Sequence, residues 1–130
     1  MPLKTPLVPI SWGELIDKIT ILEIKTERLS SDAARANVRR ELALLRKIET
    51  PALAGAAVAG LKEQLKAVNG ALWVIEDDIR DKEAAKAFDA DFIALARAVY
   101  RQNDQRAALK RQINDALGSE LIEEKGYKPY

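Results

Sequence analysis

AVAGLKEQLKAVNGALWVIEDDIRDKEAAK, residues 57–86, decides the fold. Within it Val58, Leu61, Leu65, Val68, Leu72, Ile75 and Ile79 follow one another in alternating steps of three and four. That is the period of a heptad seam along one face of an α-helix. A helix of this length extends about 45 Å at 1.5 Å per residue. Gly70 interrupts it at a cost of about 1 kcal/mol relative to alanine, so we expect either a neighbouring backbone packed against Gly70 or a looped break there.

Beyond this helix, Phe88-Asp89 reads as a turn with Asp89 as a helix cap. A fourth helix follows over 90–117, with Phe92, Leu95, Ala96, Val99, Ile113 and Leu117 as its apolar positions. Gly118 ends it, as glycine does where the chain turns left-handed. On the other side, Thr50-Pro51 breaks the pattern, and Gly55 and Gly60 weaken the stretch that follows. A second helix runs from the cap residues Ser30, Ser31 and Asp32 to Glu49, striped by Val38, Leu42, Leu45 and Ile48. The first occupies 12–29 and opens on an S-x-x-E capping box, Ser11 with Glu14, flanked by the staple pair Ile10 and Leu15. Such a box satisfies backbone donors that a helix start leaves without partners. Its stripe is Trp12, Leu15, Ile16, Ile19, Leu22 and Leu29. Pro2, Pro6 and Pro9 keep residues 1–10 extended, and Leu121 and Ile122 in the tail SELIEEKGYKPY are placed to dock back.

The expectation is a single all-α domain over 1–130. It is an antiparallel four-helix bundle-like arrangement in which a long helical hairpin, 57–86 and 90–117, outreaches the shorter pair. Ile21 and Ile24 lie away from the stripe of the first helix, and Trp73 and Val74 from that of the third. Two-sided apolarity in so small a chain points to a homo-oligomer, a dimer or higher.

Composition excludes several functions. The chain has no cysteine and no histidine, which removes disulfides, thiol nucleophiles, imidazole bases and thiolate or imidazole metal sites. Its 21 basic and 20 acidic residues balance, unlike the basic excess of a phosphate-neutralising protein. Arg97, Arg101, Arg106, Lys110 and Arg111 wind round the fourth helix among Asp91, Asp104 and Asp115. We therefore expect no nucleic-acid partner. No signal peptide, membrane span or phosphate loop is recognisable, so the default location is the cytoplasm and no cofactor is implied.

The anomaly is polar residues on apolar faces. Glu23 and Thr26 fall within the first stripe; Asn69, Glu76 and Glu83 share the face of Leu65 and Leu72; Asn103, Arg106 and Lys110 share that of Val99 and Ile113. Unpaired buried charge is costly, so these groups must pair, reach solvent or border a cavity. Glu23 and Glu76 against Arg106 and Lys110 is a charge-balanced set. It reads either as a register-fixing network or, with Asn103, as an interhelical pocket for an anionic ligand. A weaker constellation is Glu14 and Asp17 with Asp77 and Asp81, whose spacing would suit Mg²⁺; a solvated, salt-bridged face is its plainer explanation.

SWGELIDKITILEIK at 11–25, LWVIEDDIRDKE at 72–83, FIALARAVYRQNDQRAALKRQIN at 92–114 and GSELIEEKGY at 118–127 resemble a bacterial family of unknown function. The resemblance implies small stand-alone proteins, or domains attached to helical-repeat or glycosyltransferase-like proteins, in the setting of cell-surface polysaccharide biosynthesis. It implies no reaction. The leading expectation is a non-enzymatic helical assembly or scaffold protein, with a possible protein partner in glycan synthesis. The alternatives are an enzyme or binding protein for an anionic metabolite, and a Mg²⁺-dependent phosphate hydrolase.

Overall fold

A computed structural model describes residues 2–130; Met1 of the expected lead-in lies outside them. The described residues form helices and connecting segments, with no strand. Helix α1 spans Trp12–Arg28, α2 Asp32–Glu49, α3 Ala56–Ala84 and α4 Ala90–Leu117, with a 3-10 turn at Thr50–Ala54 between α2 and α3. Side-chain caps start three of the four helices. Ser11 Oγ accepts from the Glu14 backbone N–H, Ser31 from Ala34 and Asp89 from Phe92. Each satisfies a first-turn donor that has no partner within its own helix.

The helical bundle and its long hairpin are as expected, and α1 is its centre. One face of α1 sets Leu15, Ile19 and Leu22 against Leu42 of α2. Another buries Ile16 among Val58 and Leu65 of α3 and Leu109 and Ile113 of α4. Helix α1 lies across the hairpin. On one flank Glu23 and Glu27 reach Lys62 and Lys66; on the other Ile21 and Ile24 line a groove with Leu72 and Trp73.

Several expectations are corrected. Ile24 is buried, not spare, because α1 is covered on two sides. Ile48 is 53% exposed, and Glu49 is buried in its stead beside Lys62. Gly70 sits in an unbroken helix with nothing near the place a Cβ would occupy. The close approach is at Gly13, where a Cβ would lie 2.4 Å from the Lys110 carbonyl oxygen. The tail returns along α4 as a strap, but Leu121 and Ile122 stay exposed. It is held by Glu123 to Lys110 at 3.0 Å, by the Tyr130 hydroxyl donating to Asp104 at 2.6 Å, and by the Tyr130 ring packed edge-on against Tyr100.

Burial is uneven along the hairpin. Leu65 and Ile113 are fully enclosed, yet between Gly70 and Ala108 no residue is buried. That outer part, the arm, continues α3 by roughly 22 Å at 1.5 Å per residue past its last buried residue, Asn69.

Candidate functional site

The first turns of α1 meet the last turns of α4, and polar residues join them. Asn114 is buried and its side-chain oxygen accepts from the Gly13 N–H at 2.6 Å. Ser119 Oγ accepts from the Trp12 N–H at 3.2 Å. Two of the donors left over at the α1 N-terminus are thus satisfied by the other end of the chain. Glycine at 13 lets the two backbones come that close.

One turn further along α1, Asp17 is 1% exposed. Its carboxylate accepts from Arg106 Nε at 2.9 Å and Nη2 at 2.6 Å, and from Asn69 Nδ2 at 2.9 Å. Asn69 also donates to Thr20 Oγ1 at 2.9 Å, and that hydroxyl donates to the Asp17 carbonyl at 2.7 Å. A two-pronged arginine–carboxylate pair is the directional form of an ion pair, and Oδ1 of its buried member takes a further bond from Asn69, which offsets part of the cost of burial. Hydrogen bonding to Asp17 raises the Arg106 guanidinium above its ordinary value against the opposing effect of burial.

Lys110 is buried beside this pair. It donates to Glu14 at 2.8 Å and to Glu123 of the strap at 3.0 Å. Burial pushes the Lys110 ammonium down, but the two carboxylates outweigh it and the net shift is upward. Glu123, held by Lys125 and then by Lys110, is lowered from 4.5 to about 2. The Glu14 side chain is spent on Lys110, with only the Ser11 half of the expected capping box observed.

The charge-balanced set expected from the helical wheels is therefore divided. Asn103, Arg106 and Lys110 line one groove between α4 and the strap. Glu23 is on the other flank of α1. There burial would raise its carboxyl, but Arg46, Lys62 and Lys66 together hold it below its ordinary value. Its nearest partners are Arg46 at 3.0 Å and Lys62 at 3.3 Å. Glu76 pairs with Arg80 one turn along the exposed face of α3, at 3.3 Å, and borders a second groove with Asn69, Asn103 and Arg106. Neither glutamate neutralises Arg106 or Lys110; Asp17, Glu14 and Glu123 do.

Nor are the four carboxylates of the Mg²⁺ constellation brought together. Glu14 and Asp17 are tied to Lys110 and Arg106, while Asp77 and Asp81 are exposed on α3. Among the described residues no group of three or more acidic side chains is clustered to hold a metal ion.

Sequence reasoning passed over Asp17 as the partner of Arg106, and over Thr20, Asn114 and Gly13. A usable signal existed for two of them. Asp17 and Thr20 are three apart on the face of α1 that Ile16 also occupies, so both are polar interruptions of a core-facing surface.

Among the described residues no helix is long and apolar enough to cross a membrane. The chain belongs to a family of unknown function, DUF6165, whose model matches residues 7–130. No curated protein and no solved structure matches it.

Proposed function

We propose that this family member is a non-enzymatic, self-assembling helical scaffold, and that a second copy of the chain covers its α3–α4 arm. The observation that carries the reading is the burial pattern. The arm is a two-helix hairpin in which Phe88, Ile93, Val74 and Tyr100 are 58%, 57%, 42% and 42% exposed. Helices gain most of their stability from packing of an apolar face, not from propensity. Two helices alone bury too little for that, and large apolar side chains left exposed along both of them favour an association site. Tyr100 is in part covered by Tyr130 of the strap, so Phe88, Ile93 and Val74 carry most of the weight.

Charge supports a second copy as the occupant. Asp77, Asp78 and Asp81 on the α3 side of the arm have no cation within 4.0 Å among the described residues. Arg97 and Arg101 on the α4 side have no carboxylate within that distance. A two-fold contact presents the same patch from both partners, so the acidic side of each arm meets the basic side of the other. Opposite charges arranged in this way select partner and register. A protein partner in cell-surface polysaccharide synthesis, the setting implied by the family resemblance, is sought on the faces that such a dimer leaves open.

Light scattering across micromolar concentrations is the test, with a dimer or higher species expected. Arg97→Glu/Arg101→Glu and Asp77→Lys/Asp81→Lys are each expected to run as monomers, and an equimolar mixture to associate again. A wild-type monomer throughout that range contradicts the proposal.

A further inference from the structure

The groove between the first turn of α1, the second half of α4 and the strap has a volume of about 600 Å³. We propose that it binds the phosphoryl group of a small anionic ligand, and that the Glu123 carboxylate occupies one of its cation positions until the ligand displaces it.

The donors are built in. Arg106 lines the groove with Nε and Nη2 committed to Asp17, while Nη1 has no partner among the described residues. Asp17 is itself buried and backed by Asn69, so the guanidinium is held in one orientation before any ligand arrives. A donor ordered in advance loses little entropy on binding. Lys110 has three N–H bonds; two go to Glu14 and Glu123. Asn103, Lys125 and Lys128 also line it, with the carboxylates of Glu14 and Asp104 at its edge. Glu14 is held by Lys110 and Asp104 accepts from the Tyr130 hydroxyl, while no carboxylate lies within 4.0 Å of Lys128 among the described residues.

Glu123 indicates what the position accepts. It places an anionic oxygen on a buried ammonium, from an irregular segment whose other ties to α4 are exposed contacts. Such a segment is the part of a fold most easily displaced. The donors come from two elements, α4 and the strap, and the several oxygens of a phosphoryl group can accept from both walls at once. A guanidinium beside ammonium groups is a recurrent phosphate-binding combination.

The test is calorimetric titration of the full chain with pyrophosphate at low ionic strength. Expected is one site per chain, bound about tenfold more tightly by Glu123→Gln and about tenfold more weakly by Lys125→Ala/Lys128→Ala, the scale of one charge-assisted contact. Both variants alter exposed or half-exposed positions and leave the Asp17–Arg106 pair intact. Asp91→Asn makes the same charge change at the tip of the arm and is expected to leave affinity unchanged. Absence of binding by both wild type and Glu123→Gln at millimolar pyrophosphate overturns the proposal. So does an equal gain from Asp91→Asn.

Discussion

The base and the arm of the hairpin are made of the same two helices, yet they are built on different terms. At the base, α1 lies across α3 and α4, Leu65 and Ile113 are fully enclosed, and polar groups are paired in depth around Asp17. In the arm nothing is buried, and the charges at 77, 78, 81, 97 and 101 have no opposite charge within 4.0 Å among the described residues. The two helix ends make the same contrast. Both α3 and α4 close with a Schellman turn, in which the chain turns left-handed just past the helix. At the base this residue is Gly118, with φ 61°; at the tip it is Lys86, with φ 53°. The difference teaches that the base is optimised to fold, whereas the arm keeps its surface for something else.

The largest expected effect is at the base. Arg106→Ala strands the buried Asp17 carboxylate with Asn69 as its side-chain donor. Breaking a buried pair from one side costs about 3–5 kcal/mol. We expect the lower end, read as a fall in urea midpoint, because Asn69 still donates.

A pair of glycines sharpens the comparison next. At Gly13 an added Cβ meets the Lys110 carbonyl and the Asn114 side chain, whereas at Gly70 it meets nothing. Gly13→Ala is therefore expected to destabilise by about 2 kcal/mol through forced separation of α1 and α4. Gly70→Ala is expected to stabilise by about 1 kcal/mol, the helix-propensity difference. Opposite signs in thermal unfolding check both. Lys86→Gly relieves a left-handed lysine and is expected to stabilise by about 0.5 kcal/mol. The gain belongs to the arm alone, so hydrogen exchange near the tip reports it best.

The strap is tested by pH. The Glu123 carboxyl lies below its ordinary 4.5, at about 2. A depressed folded-state value means that its contribution is complete above 4.5 and is lost as pH falls toward 2. Carboxyl carbon shifts are expected to place its midpoint near 2, with strap resonances moving over the same window. A midpoint near 4.5 would mean that the contacts to Lys110 and Lys125 do not persist in solution.

Much of the fold was legible because the relevant signals are local. The seam from Val58 to Ile79, the caps at Ser11, Ser31 and Asp89, and the stop at Gly118 depend on residues within a turn or two of one another. The candidate site was less legible, for a physical reason. A helical wheel sorts residues by one direction, but α1 is covered on two sides, so Ile24 looked spare and Asp17 looked like a surface acid. Which carboxylate meets Arg106 is set by the placement of α1 across the hairpin, a tertiary fact with no local signature. Ile48 and Glu49 are adjacent, about 100° apart round α2, and the stripe alone does not say that the bundle-facing one is Glu49, which meets Lys62.

The central claim is that the arm is completed by a second copy of the chain. Amide hydrogen exchange followed over a dilution series tests it most directly. Protection within 77–101 is predicted to fall as the protein is diluted into the nanomolar range, while protection around Ile16, Leu65 and Ile113 stays constant. An arm as strongly protected as the base, and indifferent to concentration, would contradict the account.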